Sequence, residues 1–252
     1  MNLEATRLRN WYATAQGKVA ADMVGSAMTR WLSRSTVDRT LTLGYPHPYL
    51  ERIRTWSDQV FGASPAEMGV MPWPVQGNRF AQVRADALPF ADALFDRVIL
   101  VHLLEAVEEP HAVLREAWRV LKPLGRILLV VPNRQGLWAR CEATPFASGT
   151  AFTPGAVRRV LEEALFEPRQ AGFALYLPPW MGQRWHGFAP ACEQAGQRWF
   201  APFGGVLLNE AQKVVLARTP LGSPLETAKK RGKAIIPLTG KPSVRVRVRH
   251  KP

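Results

Sequence analysis

The stretch Phe95-Asp96-Arg97-Val98-Ile99-Leu100-Val101-His102 decides the fold prediction. Its four consecutive apolar residues follow a charged turn, which is typical of a strand buried on both faces of a parallel sheet. An amphipathic helix is predicted for residues 111–121, just after Pro110, and a second apolar strand for residues 126–131. A strand, a helix and a strand in this order predict one crossover unit of an α/β fold.

The rest of the chain extends this alternation. Further strands are predicted at residues 39–43, 59–61, 78–84, 172–178 and 205–216, and helices at residues 5–33, 49–57 and 153–164. We therefore expect a doubly wound, mostly parallel seven-stranded sheet with helices on both faces. Ligands of such sheets bind beside the carboxyl ends of the strands, so the residues that follow each strand are the candidate site.

The amino-acid composition excludes several classes of protein. Of the 252 residues, 47% are hydrophobic and 21% are charged, which excludes a wholly disordered chain. No apolar run reaches the ~18 residues of a membrane span, and the N-terminus has no signal-like apolar segment. The two cysteines, Cys141 and Cys192, lack metal-ligand spacing. The expectation is a soluble, cytoplasmic protein with no metal site and no membrane contact.

The formal net charge of +13 is concentrated at one end of the chain. Residues 218–252 carry +9, with ten Lys or Arg and one Glu, while the first 217 residues carry +4. Eight Pro and Gly residues accompany that charge, so a disordered basic tail is predicted. Its Val-Arg repeat at 244–249 could contact RNA or another anionic partner weakly. The alternative is a solvated terminus that aids solubility.

Three motifs after the predicted strands carry a family resemblance. They read Ala85-Asp86-Ala87-Leu88-Pro89-Phe90, Phe95-Asp96-Arg97-Val98 and Arg119-Val120-Leu121-Lys122-Pro123-Leu124-Gly125-Arg126. Together they resemble a class I S-adenosylmethionine-dependent methyltransferase of the type 11 group, which has a Rossmann-like fold. The likeness is specific over residues 85–133, with Leu124 where that family usually has glycine. Trp11-Tyr12 and Gly44 to Leu50 also resemble a divergent bacterial group of such proteins.

The resemblance implies a domain layout and a reaction. Residues 1–35 would be an N-terminal helical segment or lid, residues 36–217 the methyltransferase-like domain and residues 218–252 the tail. S-adenosylmethionine would be the cofactor, and its methyl group would pass to an unidentified acceptor. The implied cofactor contacts are Gly44, Tyr45 and His47 beside the methionine moiety, Asp86 at the adenine amino group, the backbone of Ala87 and Leu88 along the ring, and His102. His102 would also be the catalytic base, and Glu105 is interpreted as a helix-start residue.

Two departures from the family pattern favour a second interpretation. In the first loop Thr42 stands at the acidic position, and Pro46 and Pro48 replace two glycines. No acid for the ribose hydroxyls occurs around Phe61 to Pro65. The alternative is therefore a catalytically inactive methyltransferase-like binding or scaffold protein, which contacts RNA or another anionic partner through its tail. An NAD-binding domain is disfavoured, since no Gly-x-Gly-x-x-Gly follows the first strand.

Two sets of residues are ambiguous from the sequence alone. Arg134, after the fifth strand, could bind an anionic substrate group or cap a loop. Several aromatic residues could line an acceptor pocket or simply fill the core. They are Trp11, Tyr12, Trp138, Trp180 and Trp185.

Overall fold

The computed structural model describes residues 4–32, 38–57, 59–74, 76–181 and 187–214. The predicted tail at 218–252 and Trp185 lie outside these ranges. The helices are α1 (Ala5–Ala13), α2 (Ala15–Thr29), α3 (Leu50–Arg54), α4 (Pro110–Val120), α5 (Pro154–Glu163) and α6 (Ala189–Trp199). The strands are β1 (Arg39–Gly44), β2 (Gln59–Pro65), β3 (Phe80–Val83), β4 (Phe95–Val101), β5 (Leu121–Pro132), β6 (Phe166–Ala174) and β7 (Val206–Lys213).

The strands form one seven-stranded sheet in the order β3-β2-β1-β4-β5-β7-β6. The pairs among β1 to β5 are parallel, whereas β7 runs antiparallel to both β5 and β6. The mostly parallel seven-stranded sheet predicted from the sequence is confirmed. Because the first five strands are parallel, their carboxyl ends meet at one edge of the sheet, and the candidate residues gather there.

The apolar run of β4 supplies both faces of the sheet. Val98 and Leu100 belong to the core beneath α4 and α5, and Ile99 and Val101 belong to the core beneath α2 and α3. The alternation follows from the two-residue period of a strand. Burial of these side chains, each worth about 1.5–3 kcal/mol, fixes β4 at the centre of the fold.

Several predicted boundaries are wrong for local reasons. The predicted helix 5–33 is broken at Thr14, whose extended backbone ends α1 and whose hydroxyl accepts the Gly17 N–H to cap α2. The predicted helix 49–57 is a 3-10 turn at His47–Tyr49 followed by the short α3. The fifth strand begins at Leu121 and the sixth at Phe166, both earlier than predicted, and α6 was not predicted.

The second strand also differs from its prediction. It continues past residue 61 to Pro65, because Gly62 to Pro65 pair with β3. The side chain of Phe80 packs directly against Gly62, where a Cβ atom would lie 2.0 Å from the ring. Among the residues that the structure describes, no helix has the length and apolar character to cross a membrane.

Gly44 offers a test of how tightly β1 and β4 approach. It has φ +89°, and an added Cβ would lie 2.3 Å from the Val101 carbonyl oxygen. Gly77 has φ +75° but open space around it. Gly77→Ala should therefore cost about 1–2 kcal/mol for its left-handed backbone, and Gly44→Ala about 1–3 kcal/mol more for the clash. The free energy of unfolding in urea measures both, and equal losses would contradict the close approach.

Candidate functional site

A cavity of about 620 Å³ opens at the carboxyl edge of the sheet. It is bounded by the segments that follow β2, β3 and β4. Its lining residues are Pro65, Glu67 and Met68; Arg84, Ala85 and Asp86; and Leu103, Ala106, Val107, Glu108, Glu109 and Val113. The volume is in the range of pockets that hold small organic ligands.

Asp86 presents an ionised carboxylate at the wall of this cavity. Arg84 holds it with two hydrogen bonds, from Nε to Oδ1 at 3.1 Å and from Nη2 to Oδ2 at 2.9 Å. These hydrogen bonds from Arg84 lower the pKa of the Asp86 carboxyl below its usual value. The carboxylate is therefore a fixed hydrogen-bond acceptor, and each of its oxygens has a further lone pair for a ligand.

Glu67 is the acid that the sequence analysis did not find. The end of the second strand was predicted at Phe61, and no acid occurs between that residue and Pro65. Because β2 in fact runs to Pro65, Glu67 lies only two residues beyond the strand and lines the cavity. The stretch Phe61 to Pro65 has no acid, as the sequence analysis noted, but an acid does follow the observed end of the strand.

The backbone N–H groups of Ala87 and Leu88 both have partners within the protein. The Ala87 N–H donates to the Arg84 carbonyl at 3.2 Å, and the Leu88 N–H donates to the Glu116 carboxylate at 2.7 Å. Their backbone donors are therefore already engaged. Within this turn, Asp86 is the predicted contact residue that lines the cavity. A role for Ala87 and Leu88 along an adenine ring stays a prediction.

Gly44 uses its missing side chain to approach β4. The following amide, that of Tyr45, donates to the Val101 carbonyl at 2.8 Å. The space that a Cβ would need at Gly44 is taken by Val101 and Leu103. Gly44 thus closes the first loop onto the end of β4, and it does not line the described cavity.

Tyr45 and His47 also pack inside the protein. The Tyr45 hydroxyl lies 3.9 Å from the Met71 sulfur, and burial raises the pKa of Tyr45 to about 12. His47 Nε2 lies 3.0 Å from the Met71 carbonyl oxygen, and burial lowers the pKa of the His47 ring. The His47 ring stacks at a tilt between Tyr45 and Phe80. Contacts of either residue with a cofactor remain a prediction.

His102 lies in a buried hydrogen-bond network directly after β4. Its Nδ1 is 2.9 Å from a Glu105 carboxylate oxygen, and its Nε2 is 2.7 Å from the Tyr12 hydroxyl. The Tyr12 hydroxyl lies 3.2 Å from that of Tyr49. All four side chains are buried, and His102 is only 2% exposed. The sequence analysis predicted none of these hydrogen bonds.

The backbone of this loop explains the arrangement. His102 has φ +51°, a left-handed conformation that is costly for a residue with a side chain. It turns the ring toward Glu105, three residues later. Since α4 begins only at Pro110, Glu105 is not the helix-start residue predicted; it orients His102. Its carboxylate can accept only from a protonated Nδ1, which in the neutral ring leaves Nε2 to accept from Tyr12.

Comparison with known proteins agrees with this fold and with the predicted resemblance. Residues 48–129 match the methyltransferase domain family. A ubiquinone/menaquinone biosynthesis C-methyltransferase of Klebsiella pneumoniae is 42% identical over 57 residues, which are 22% of this chain. The match spans only 23% of the length of that relative.

Solved structures extend the likeness to most of the chain. A SAM-dependent methyltransferase of Thermotoga maritima superposes with a TM-score of 0.60, covering 82% of this chain and 94% of that one, at 17% identity. A SAM-dependent methyltransferase of Aquifex aeolicus gives 0.58, covering 84% and 99%, at 12% identity. At these identities the likeness shows the fold, and the site must be argued from its own residues.

The aromatic residues considered in the sequence analysis divide between core and surface. Trp11, Trp138 and Phe146 pack edge to face, and the Trp138 indole donates to the Leu177 carbonyl at 2.7 Å. Trp138 is therefore a core residue, whereas Trp180 is 71% exposed. Neither Trp138 nor Trp180 lines the cavity.

The loop after β5 has a structural role. The Asn133 amide donates to the carbonyls of Pro202 and Gly204, at 2.8 and 2.6 Å, and Arg134 is exposed to solvent. These bonds are those of a loop cap, which was one of the two interpretations of this segment. Within the described ranges, no group of three or more His, Cys, Asp or Glu residues could hold a metal ion.

Removal of the Tyr12 hydroxyl tests the buried network. Tyr12→Phe leaves His102 Nε2 buried without its 2.7 Å partner, which should cost about 1–3 kcal/mol of unfolding free energy. Tyr45→Phe is the matched control, because its hydroxyl meets only a thioether sulfur, a weak acceptor. Chemical denaturation of the two variants gives the comparison. A loss no greater for Tyr12→Phe than for Tyr45→Phe would contradict the network.

Proposed function

We propose that this chain transfers a methyl group from S-adenosylmethionine to an acceptor that is not yet identified. One observation carries the proposal. In a methyltransferase fold, the cavity at the carboxyl ends of β2, β3 and β4 has two carboxylates, Glu67 and Asp86, on its walls. By the family resemblance, an acid after the second strand would accept from the ribose hydroxyls and Asp86 would accept from the adenine amino group; we assign the first role to Glu67.

The lining of the cavity fits the nucleoside half of the cofactor. Glu67 would accept hydrogen bonds from the ribose hydroxyls, and Asp86 would accept one from the adenine amino group. The side chains of Met68, Leu103 and Val107 give apolar walls of the kind that border a purine ring. Arg84 keeps Asp86 ionised and so keeps it an acceptor.

The charge of the cavity also suits the cofactor. Four acidic residues line it, Glu67, Asp86, Glu108 and Glu109, against one basic residue, Arg84. A cleft of one charge sign favours a ligand of the opposite sign, and S-adenosylmethionine carries a sulfonium and an ammonium group. When bound, it supplies a methyl group that is already activated, so the protein has mainly to align the acceptor and exclude water.

His102 is the proposed base for an acceptor that must lose a proton. The Glu105 carboxylate accepts a hydrogen bond from Nδ1 of His102. The lone pair on Nε2 then faces the position that the Tyr12 hydroxyl occupies. A base oriented by a carboxylate in this way has a fixed tautomer and ring angle. The proton of the acceptor would be held at Nε2.

A non-catalytic binding protein is the second candidate. The observation in its favour is the first loop, in which Gly44 closes onto β4 and Tyr45 and His47 point into the protein. In this conformation that loop offers no cradle for a methionine moiety. Cofactor affinity separates the two candidates.

Titration calorimetry with S-adenosylhomocysteine tests the proposal. The natural chain should bind it with micromolar affinity. Glu67→Gln and Asp86→Ala should each weaken binding about 10-fold or more, because each removes a hydrogen bond to a charged acceptor. Glu167→Gln is the control, since Glu167 lies on β6 at the far edge of the sheet. Absence of binding at millimolar ligand would favour the scaffold protein.

A further inference from the structure

The closed network around His102 shields the proposed base from any acceptor. Both ring nitrogens have partners, Glu105 on Nδ1 and Tyr12 on Nε2, and the residue is 2% exposed. An acceptor can reach Nε2 only where the Tyr12 hydroxyl now lies. The surroundings of Tyr12 therefore describe the space that an acceptor would enter.

Those surroundings have the shape and chemistry of a phenol site. At the polar end, the Tyr12 hydroxyl meets His102 Nε2 at 2.7 Å and the Tyr49 hydroxyl at 3.2 Å. Along the ring, Tyr45 stacks at 6.1 Å with an interplanar angle of 19°, and Tyr49 lies edge-on at 6.3 Å. One hydroxyl can thus donate to the base and accept from Tyr49 while its ring is held between aromatic neighbours.

The charges nearby favour a neutral acceptor. The titratable groups that act on Tyr12 are Tyr49, Tyr45 and the Glu105 carboxylate. A carboxylate or phosphate acceptor would be repelled by Glu105 and would find no cation among these groups. Burial raises the pKa of the Tyr12 phenol well above its usual value, so Tyr12 itself stays protonated while it occupies the site.

Resting on the proposed function, we propose that the methyl acceptor is a neutral phenol, whose hydroxyl replaces that of Tyr12 on His102. Tyr12 is then an internal stand-in for the acceptor, and α1 must withdraw for the reaction. The phenol proton moves to His102 Nε2 and its electron pair remains on oxygen. That oxygen forms the bond to the methyl carbon as the carbon–sulfur bond breaks, with its electron pair left on sulfur.

The position of α1 suits such a withdrawal. It has nine residues, no side-chain cap at its first turn and an extended residue, Thr14, between it and α2. Helices this short are marginal by themselves and depend on what they pack against. The first amide of α1, that of Ala5, donates to the Met68 carbonyl at 2.7 Å, and Met68 lines the cavity.

The two sites are also neighbours. Leu103 lines the cavity and directly follows His102 in the chain, and Met68 packs in one apolar cluster with Tyr12 and Tyr45. A ligand in the cavity and a ring in the Tyr12 position would therefore share a wall. This is the adjacency that an in-line transfer between them requires.

Binding of 4-nitrophenol to Tyr12→Gly tests the proposal without any cofactor, so its outcome is separate from that of the calorimetry above. The variant vacates the ring position but keeps His102, Glu105 and Tyr49. The probe should bind Tyr12→Gly about 10-fold more tightly than it binds Tyr12→Gly/His102→Asn, because its hydroxyl donates to His102 Nε2 in the first variant and has no acceptor there in the second. Titration of each variant, followed by the absorbance of the probe, measures both affinities.

Two controls make the result decisive. The double variant Tyr12→Gly/His102→Asn should lose most of the affinity for 4-nitrophenol, and nitrobenzene, which lacks the hydroxyl, should bind Tyr12→Gly more weakly than 4-nitrophenol. The proposal is overturned by failure of 4-nitrophenol to bind Tyr12→Gly. It is equally overturned if the two variants bind 4-nitrophenol equally, or if nitrobenzene binds Tyr12→Gly as tightly as 4-nitrophenol does.

A second variant opens the site while retaining every side chain in it. A Cβ on Gly17 would lie 2.2 Å from the Trp11 carbonyl oxygen and 2.6 Å from the Tyr12 Cα, so Gly17→Ala must displace the end of α1 that carries Tyr12. It should bind 4-nitrophenol several-fold more tightly than the natural chain does. Equal or weaker binding, in a variant whose circular dichroism shows the native fold, counts against Tyr12 as the occupant of the site.

Discussion

The approach of Gly44 to the carbonyl of Val101 is the contact on which the rest of the site depends. Parallel pairing sets Gly44 of β1 beside Val101 of β4, and the absence of a Cβ lets the Tyr45 amide bond the Val101 carbonyl. The loops after the two strands are thereby held together. Tyr45 and Tyr49 come from one loop and His102 from the other, and Tyr12 of α1 packs against all three.

The candidate site consequently has two halves with different character. One half is the open cavity, which is lined by the segments after β2, β3 and β4 and has Glu67 and Asp86 on its walls. The other half lies around His102 and the loop after β1, and it is closed by aromatic rings and by the hydrogen bonds of His102. Pro46 and Pro48 belong to the closed half, where Pro48 lies in the 3-10 turn at His47–Tyr49. Loss of the usual glycines thus alters that half and leaves the cavity intact.

Much of the fold was predictable because its signals are local. The apolar run of β4 predicts a buried strand. The proline at the start of α4 and the Thr153 cap of α5 each predict where a helix begins. Leu124 is informative in the same way. It stands where the family pattern has glycine and adopts φ +62°, so the left-handed turn persists without the residue that favours it.

The site was less predictable, because its partners are distant in the chain or depend on backbone geometry. Asp86 was predicted as a contact residue from its motif, and it lines the cavity. Glu67 was missed because the length of β2 is set by pairing with β3, which no local pattern reveals. The role of Glu105 depends on the left-handed backbone of His102, and that of Tyr12 on a contact across 90 residues. A sequence shows neither a single backbone angle nor such a contact.

The central claim is that the cavity beside Glu67 and Asp86 holds the nucleoside of the methyl donor. A crystal structure of the full chain grown with S-adenosylhomocysteine tests it most directly. The account predicts adenosine in this cavity, with its ribose hydroxyls on the Glu67 carboxylate and its adenine amino group on Asp86. A ligand bound elsewhere on the sheet edge, or an adenosine in contact with neither carboxylate, would contradict it.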